Sequence, residues 1–187
     1  DRKINKVVAL STDKACNPVN LYGATKLASD KVFISANLHT LNSKTSFSVV
    51  RYGNVMGSRG SVIPFFQNLE EGIPTPITDK RMTRFMITIQ QGVKLVWHII
   101  KDSLGGEIYV HKIPSMNILD IANAVRENSL IEEVGIRPGE KIHEVMINEE
   151  DSENTYEYDW YYKILPTINK WNTDKNRIKD GKKVKAG

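Results

Sequence analysis

The sequence predicts an α/β protein with a parallel sheet, and three observations carry this prediction. Short apolar segments rich in β-branched residues alternate along the chain with longer segments whose apolar residues recur at helical spacing. This alternation is typical of βαβ units, in which a helix connects two parallel strands. The first short segment, residues 6–12, has a continuous apolar centre at residues 7–10, as expected of a strand buried on both faces. The 187 residues are 40% hydrophobic and 26% charged, a composition typical of a globular protein with a core.

The first half of the chain contains two predicted strands and two predicted helices. Residues 6–12 and 47–55 are predicted strands, because both are short and rich in apolar, β-branched residues. After the turn signal Asn17-Pro18, a long helix is predicted at residues 21–39. Its apolar residues recur at near-helical spacing: Leu27, Val32, Phe33 and Leu38. Gly57, Gly60 and Pro64 then indicate an irregular loop, followed by a short predicted helix at residues 65–71.

The second half begins with a strongly helical pattern at residues 88–103, which Gly105-Gly106 would end. The predicted apolar face of this helix consists of Val93, Val96, Trp97 and Ile100. The remaining predicted elements are a strand at residues 107–112, a helix capped by Asn117 and running to about residue 128, a strand at residues 131–136, a short helix at residues 141–147 and an aromatic, alternating strand at residues 155–164.

Composition excludes several kinds of protein. No apolar run approaches the about 20 residues that a membrane helix needs, and the first residues lack a signal-peptide pattern, so we expect a cytoplasmic location. Cys16 is the single cysteine, and the four histidines show no ligand spacing, so neither a disulfide nor a metal site is expected.

The net charge of +4 is modest, and much of it lies in a basic tail consisting of Lys175, Arg177, Lys179, Lys182, Lys183 and Lys185. The tail is polar and flanked by glycine, without readout or stacking residues. A solvated tail is therefore favoured over a nucleic-acid partner.

Polar residues follow the first strand at the point where ligands meet open α/β sheets. Thr12, Asp13 and Lys14 lie at the carboxyl end of this strand. Tyr22 and Lys26 are four positions apart and share one face of the following helix. A Tyr-x-x-x-Lys pair arises readily by chance, and these residues could equally be solvated surface groups. In this chain, however, the Tyr-x-x-x-Lys pair follows a strand, an Asp-Lys pair and an Asn-Pro turn. This combination is more specific than the pair alone, and it favours a catalytic interpretation.

Four motifs together resemble one enzyme family. They are STDKACNPVNLYGATKLASDKVF at residues 11–33, RYGNVMGSRGSVIPFF at 51–66, ITDKRMTRF at 77–85 and GIRPGEKIHEVMI at 135–147. They resemble the short, inverting UDP-N-acetylglucosamine 4,6-dehydratases of the extended short-chain dehydrogenase/reductase superfamily, over about residues 7–166. Larger, membrane-anchored members of this group have Met where this chain has Tyr22, so the tyrosine favours the short form that inverts C5 of the product.

The resemblance implies the C-terminal part of a Rossmann-like doubly wound parallel sheet, together with a small mixed α/β substrate-binding region. Residues 1–60 would belong to the dinucleotide-binding domain, whose N-terminal half is missing here. Residues 61–166 would mainly bind the nucleotide sugar, with interleaved Rossmann elements, and residues 167–187 would form a truncated basic tail. No G-x-G-x-x-G follows a predicted strand, so the phosphate-binding turn is expected outside these residues.

The resemblance also implies the reaction. A hydride leaves C4 of the sugar for the nicotinamide, a proton leaves C5, hydroxide leaves C6 as water, and the hydride returns to C6. Tyr22 would take the proton of the C4 hydroxyl, while Lys26 would favour the ionised phenol and hold the cofactor ribose. Lys14, in its neutral form, would abstract the C5 proton, and Asp13, in its protonated form, would protonate the leaving C6 hydroxyl. Thr12 would orient the C4 oxygen.

Further binding residues follow from the same resemblance. Asn54 would contact the substrate, and Lys80, Arg137 and Glu140 would hold the nucleotide, although such residues are often plain surface charges. The loop expected to line the nicotinamide consists of Val55, Met56, Gly57, Ser58 and Arg59. The cofactor would be NADP, with NAD also possible, because the ribose contacts that distinguish them lie in the missing half.

Two alternatives stay open. A nucleotide-sugar 4-epimerase would share Tyr22 and Lys26, but it needs no acid-base pair for elimination, so Asp13 and Lys14 argue against it. The second alternative is a non-catalytic sugar-nucleotide-binding module. The 187-residue chain alone is expected to be inactive and to bind NADP weakly. The family further implies a UDP-sugar substrate, a homo-oligomer, and a bacterial pathway that supplies modified sugars to flagellin, capsule or lipopolysaccharide.

Overall fold

The computed structural model describes residues 4–40, 44–167 and 175–185 and divides into two compact units. Unit 1 comprises Asp1–Tyr52, Val93–Lys112 and Val145–Gly187, and unit 2 comprises Gly53–Gly92 and Ile113–Glu144. The predicted α/β class with a parallel sheet is confirmed. None of the described helices is both long enough and apolar enough to cross a membrane.

The elements are numbered along the chain. The strands are β1 (Lys6–Thr12), β2 (Ser46–Tyr52), β3 (Asn54–Val55), β4 (Thr75–Ile77), β5 (Thr83–Ile87), β6 (Ile108–His111), β7 (Ser115–Asn117), β8 (Ile131–Glu133), β9 (Thr155–Glu157), β10 (Tyr161–Ile164) and β11 (Lys182–Lys183). The helices are α1 (Leu21–His39), α2 (Val62–Gln67), α3 (Ile89–Asp102), α4 (Ile118–Val125) and α5 (Glu149–Ser152).

Unit 1 is built on a six-stranded sheet with the order β1-β2-β6-β10-β9-β11. The pairs β1–β2 and β2–β6 are parallel, and the other three pairs are antiparallel. The rings of Phe33 in α1 and Phe47 in β2 are 6.2 Å apart, whereas Val50 in β2 packs with Leu95 and Ile99 of α3. Because side chains alternate along a strand, Phe47 and Val50 face opposite sides of the sheet. Helix α1 and the unit 1 part of α3 therefore cover opposite faces.

Helix α1 is fixed at both ends by asparagine side chains. Asn20 caps its start by accepting a hydrogen bond from the Gly23 N–H at 2.8 Å. Near its end, the buried Asn37 amide donates to the Phe47 carbonyl at 3.0 Å and accepts from the Phe47 N–H at 2.9 Å. The helix thus begins beside the end of β1 and is tied at its other end to the start of β2.

Unit 2 contains a three-stranded sheet, β3-β5-β7, and the parallel pair β4–β8. Strands β3 and β5 are parallel, and β5 and β7 are antiparallel. Asn117 caps the start of helix α4, as predicted. Its side chain accepts a hydrogen bond from the Leu119 N–H at 2.8 Å. The buried core of unit 2 consists of Phe66, Ile77, Met82, Met86, Ile118, Ile121 and Ala122.

Three predicted strands or helices differ from the structure because of contacts distant in sequence. The predicted strand 47–55 is divided at Gly53, where a Cβ would lie 2.4 Å from the Phe85 carbonyl oxygen. Residues 141–147 are not helical, because the Arg84 side chain and the Thr83 N–H bind the carbonyl oxygens that a helix would use internally. The predicted strand 155–164 is a hairpin of β9 and β10.

The buried face of α3 also differs from the prediction. Leu95 and Ile99 are fully buried, whereas Val93 is 49% and Trp97 60% exposed. Helix α2 begins at Val62 rather than residue 65, since Pro64 is tolerated in a first turn, where its missing N–H would have no helical partner. Strand β8 and helix α4 end at residues 133 and 125, earlier than predicted.

The basic tail is packed against the sheet rather than solvated throughout. Strand β11 pairs with β9, and the Arg177 side chain is buried, with its guanidinium 2.6 Å from both the Glu107 carboxylate and the Gly105 carbonyl oxygen. The expectation of a solvated tail was therefore wrong for this part. The signal was absent from the sequence, because Glu107 lies 70 positions away.

Candidate active site

The carboxyl end of β1 continues into a tight turn that carries the first predicted catalytic residues. Thr12 caps the turn Asp13–Ala15 by accepting a hydrogen bond from the Lys14 N–H at 3.4 Å. The Thr12 hydroxyl donates to Asp13 Oδ1 at 2.8 Å, and Lys14 Nζ lies 3.1 Å from the same oxygen. The structure thus brings these three side chains together as the sequence predicted.

Asp13 is the most unusual of the three. Its side chain is completely buried, whereas that of Lys14 is 30% exposed. The second carboxyl oxygen, Oδ2, is buried and has no hydrogen-bond partner among the residues described. A buried carboxyl oxygen without a partner is costly, so it requires an explanation, such as a catalytic role or a contact with a bound water or ion. Asp13 is therefore suited to exchange a proton with a bound molecule.

Helix α1 packs directly on this turn through Gly23. A Cβ at this position would lie 2.4 Å from the Lys14 carbonyl oxygen and 3.0 Å from Pro18, so only glycine allows the approach. Tyr22 precedes Gly23, and Lys26 follows it by three positions on the side of the helix that Tyr22 shares. The close contact therefore holds the start of the Tyr-Lys helix against the turn of Asp13 and Lys14.

Lys26 and Tyr22 are both reachable from solvent. The Lys26 ammonium donates to the Leu10 carbonyl oxygen at 3.2 Å, which places it along the end of β1. Tyr22 is 53% exposed. Both side chains are accessible to a ligand at this end of the strand.

A buried charge network that sequence reasoning missed adjoins the same helix. Arg51, at the end of β2, is 2% exposed and donates to the Met146 carbonyl oxygen at 2.8 Å and to Asp151 at 3.0 Å. Its other terminal nitrogen lies 3.5 Å from Asp30, which is 1% exposed and follows Lys26 by four positions on α1. An arginine inside an apolar strand was the available signal, because a buried charge requires a partner.

The predicted nicotinamide loop lies in unit 2. Val55 pairs with Ile87 across β3 and β5, and the Met56 N–H donates to the Ile87 carbonyl oxygen at 2.9 Å. Gly57 then has a φ of 71°, which few other residues tolerate. The remaining loop residues, Ser58 and Arg59, are exposed. Just before the loop, Asn54 has a buried Oδ1 without a hydrogen-bond partner among the residues described.

The three predicted nucleotide-binding charges also lie in unit 2. Lys80 is 3.8 Å from Glu133, and Arg137 is 3.8 Å from Glu140. The side chains of Lys80 and Arg137 are 59% and 77% exposed, so both are available to a ligand. Arg84, which sequence reasoning missed, is buried, and its guanidinium lies 3.9 Å from the Glu140 carboxylate. The same guanidinium donates hydrogen bonds to the carbonyl oxygens of residues 141 and 142.

A cavity of about 440 Å³ in unit 1 does not coincide with these residues. It is lined by Lys31, Val32 and Ser35 of α1 and by residues of β6, α5 and β10. None of the five predicted catalytic residues lines it.

Comparison with protein families and curated proteins gives consistent matches. Residues 1–166 match the family model described as polysaccharide biosynthesis protein. The chain is 57% identical over 167 residues to the inverting UDP-N-acetylglucosamine 4,6-dehydratase of Campylobacter jejuni, a match that covers 88% of this chain and 50% of that protein. It is 38% identical over 188 residues to a UDP-glucose 4-epimerase of Rickettsia canadensis, covering 97% of this chain and 55% of that protein. The chain thus spans about half the length of the curated relatives it matches.

Solved structures give the same fold. The X-ray structure of Pen from Bacillus thuringiensis matches all of this chain and 57% of that chain, with a TM-score of 0.85 and 37% identity. A dTDP-glucose 4,6-dehydratase from Streptomyces venezuelae, solved with NAD bound, matches 79% of this chain and 52% of its own, with a TM-score of 0.66 and 20% identity. The resemblance predicted from the four motifs is confirmed by the family and curated matches.

Proposed function

The chain belongs to the polysaccharide biosynthesis protein family, and from that premise we propose that the whole protein is an inverting UDP-N-acetylglucosamine 4,6-dehydratase. One observation carries the proposal: a fully buried Asp13 is hydrogen-bonded to Lys14 at the end of β1, where the helix bearing Tyr22 and Lys26 packs on them. An elimination needs an acid and a base close together, whereas simple oxidation and reduction at C4 does not. The relative named for this activity is 57% identical.

Asp13 and Lys14 are suited to act as a coupled pair. The proposed roles require a neutral Lys14, which removes the C5 proton, and a protonated Asp13, which donates to the leaving C6 oxygen. An ion pair and this neutral pair differ only by transfer of one proton along the 3.1 Å contact. Because the proton moves within the pair, this transfer needs no net uptake of protons. The pair would then end the elimination with the C5 proton on Lys14 and the C6 oxygen released as water.

A nicotinamide cofactor, when bound, would accept hydride from C4 and return it to C6 of the C5–C6 double bond left by the elimination, while C5 takes up a proton. In unit 1, Tyr22 would take the proton of the C4 hydroxyl, Thr12 would orient that oxygen, and Lys26 would hold the cofactor ribose. The residues present fit these tasks, because Tyr22 and Lys26 are accessible beside the buried Asp13. We propose NADP as the cofactor, with NAD as the alternative.

In unit 2, the loop from Val55 to Arg59 would lie against the nicotinamide. The Asn54 oxygen, which has no partner in the part of the chain that the structure describes, would accept a hydrogen bond from the substrate. Lys80 and Arg137 would bind the diphosphate, for which the planar fork of an arginine is well suited. Glu140 would orient Arg137, which it already contacts.

The test uses the full-length protein with NADP and UDP-N-acetylglucosamine carrying deuterium at C4. We expect a 4-keto-6-deoxy product with the deuterium at C6. Lys14→Met should lower turnover by about 10²- to 10⁴-fold, the usual contribution of a general base, and Asp13→Asn should do the same. Lys31→Met removes an exposed lysine from the same helix as Tyr22 and should leave turnover unchanged. Normal turnover by Lys14→Met would refute the assignment of the base.

A 4-epimerase is the second candidate, favoured by the 38% identity to UDP-glucose 4-epimerases over nearly the whole chain. The same experiment distinguishes the two. A C4 epimer that retains its C6 hydroxyl would identify an epimerase and leave Asp13 and Lys14 without a role in elimination.

A further inference from the structure

The buried charge network of Asp30, Arg51 and Asp151 lies one helical turn from Lys26. Tyr22, Lys26 and Asp30 are spaced by four residues and follow one another along one face of the helix. Asp30 interacts with Arg51 at 3.5 Å, and Arg51 in turn binds Asp151 at 3.0 Å. Positive and negative side chains therefore alternate from Lys26 through Asp30 and Arg51 to Asp151.

The charges that surround Asp30 come from three elements. Lys26 lies on the same helix, Arg51 belongs to β2, and the Ser11 hydroxyl belongs to β1. Ser11 and Arg51 are paired residues of these two neighbouring strands. Burial raises the pKa of Asp30, and the nearby Ser11 hydroxyl together with the charges of Arg51 and Lys26 opposes this rise. Asp30 is thus held against the sheet through Arg51, and the charge of Lys26 acts on it from one helical turn away.

Stability alone is a weak reason for such a network. A buried ion pair often contributes no more than well-packed apolar residues would, because desolvation offsets the attraction between the charges. What this network does, and apolar residues could not do, is fix a carboxylate one helical turn from Lys26. Among the contacts described, the Lys26 ammonium donates to one neutral acceptor, the Leu10 carbonyl oxygen, and the Asp30 carboxylate lies beyond direct ion-pair distance.

We propose that Asp30, oriented by Arg51, is a positioning residue that holds the Lys26 ammonium in its working place. The inference rests on the proposed function, in which Lys26 supports Tyr22 and the cofactor ribose. Asp30 acts only through Lys26 and touches no reacting atom. Arg51 acts one step further away, by orienting Asp30.

The first test compares Asp30→Asn with Asp30→Glu in the full-length protein. Asp30→Asn should lower kcat about 10- to 100-fold, as misplacement of a catalytic group does, with KM for UDP-N-acetylglucosamine changed less than about twofold. Asp30→Glu restores the carboxylate and should recover part of kcat. In a Lys26→Met background, Asp30→Asn should change kcat less than about twofold, because the residue through which it acts is gone. An equal loss in both backgrounds would overturn the proposal.

Asp102→Asn is the control, since Asp102 is a partly exposed aspartate of the same unit that is also paired with a buried cation. Asp102 binds Lys163 at 2.6 Å and Tyr109 at 2.6 Å and has no part in the proposed site. This variant should lower the denaturation midpoint while leaving kcat unchanged. If it lowered kcat as much as Asp30→Asn, the effect at Asp30 would be general loosening of unit 1, and the proposal would fail.

A second measurement is independent of catalysis. The rate at which acetic anhydride modifies Lys26, followed by mass spectrometry relative to the exposed Lys31, should rise at least about threefold in Asp30→Asn and return towards the wild-type rate in Asp30→Glu. An unchanged rate would refute the positioning role. If the wild-type enzyme forms no 4-keto-6-deoxy product, the proposed function fails, yet this labelling still decides whether Asp30 holds Lys26.

Discussion

Gly23 sets how closely helix α1 approaches the turn of Asp13 and Lys14. A Cβ at this residue would lie 2.4 Å from the Lys14 carbonyl oxygen, well inside normal contact. The segment Tyr-Gly-Ala-Thr-Lys therefore contributes both chemical groups and a packing contact. The tyrosine and lysine supply chemical groups, and the glycine between them supplies the contact that brings these groups to the strand end.

We expect Gly23→Ala to damage both stability and activity. Alanine favours a helix over glycine by about 0.5–1 kcal/mol, but crowding of this kind costs about 1–3 kcal/mol, because the backbone of the turn must move. The net loss in the free energy of unfolding should be about 1–2 kcal/mol, measured by urea denaturation, with a fall in turnover of the full-length protein.

Gly92→Ala is the matched control, since it makes the same change in helix α3. A Cβ on Gly92 would meet nothing within 4 Å, and its backbone is helical. This variant should be stabilised by up to about 1 kcal/mol. If the two variants had the same stability, the contact between Gly23 and Lys14 would not restrict the helix.

Individual residues differed in how far the sequence could predict them. Asp13 and Lys14 follow a strand end and Tyr22 and Lys26 share a helix face, so local spacing was enough to predict each pair, whereas their joint action at one site stays a prediction. Asp30, by contrast, is meaningful only because Arg51, 21 positions away, lies opposite it in the fold. A single sequence gives no direct sign of such a pair.

The elements were predicted best where their signals are local. Strand β1 and helix α1 have the predicted bounds, because their signals are local: an apolar strand pattern, and helical spacing of apolar residues after the turn Asn17-Pro18. The short strands β4, β5 and β7 were missed. Each has three to five residues and gains its hydrogen bonds from partners distant in sequence, so no local pattern marks it.

The turn between β4 and β5 makes the fold sensitive to acid. Arg81 donates to Asp79 through its side chain at 2.7 and 3.0 Å and through its backbone N–H at 2.8 Å. The hydrogen bonds from Arg81 lower the pKa of Asp79 to about 2. Since the folded-state pKa is below the usual aspartate value, the ionised carboxylate stabilises the folded state above about pH 4, and this contribution disappears as the pH falls towards 2.

Asp79→Asn should therefore be less stable than the wild type at pH 5, and the difference should shrink to nearly nothing by about pH 2. Urea denaturation at several pH values measures it. Asp159→Asn removes the same charge from an exposed residue outside this turn and should show no comparable trend. A difference for Asp79→Asn that stays constant with pH would contradict the assignment of the carboxylate as the stabilising form.

At the scale of the whole molecule, unit 1 is assembled from three separate stretches of the chain. Strand β11 extends the sheet beside β9, and the buried Arg177 side chain forms an ion pair with the buried Glu107 carboxylate. Glu107 also accepts hydrogen bonds from Ser48 and from the N–H groups of Leu104 and Gly105. The basic composition of the tail suggested solvation, but composition does not distinguish one buried arginine among exposed lysines.

The role of Arg177 can be tested by comparing it with its neighbours. Arg177→Met leaves the buried Glu107 carboxylate without its charged partner and should lower the free energy of unfolding by about 3–5 kcal/mol. Lys183→Met removes an equal charge from an exposed position on β11 and should change stability by less than about 0.5 kcal/mol.

Salt and a second substitution separate a buried pair from a surface attraction. Because the pair is buried, the loss caused by Arg177→Met should be nearly the same in 0.1 M and 1 M salt, as about 1 M salt screens exposed charges but hardly reaches buried ones. The double variant Glu107→Leu with Arg177→Met removes both charges and should recover part of the lost stability, since no unpaired charge remains inside. A loss that disappears in high salt would mean that Arg177 acts at the surface, as the composition of the tail had suggested.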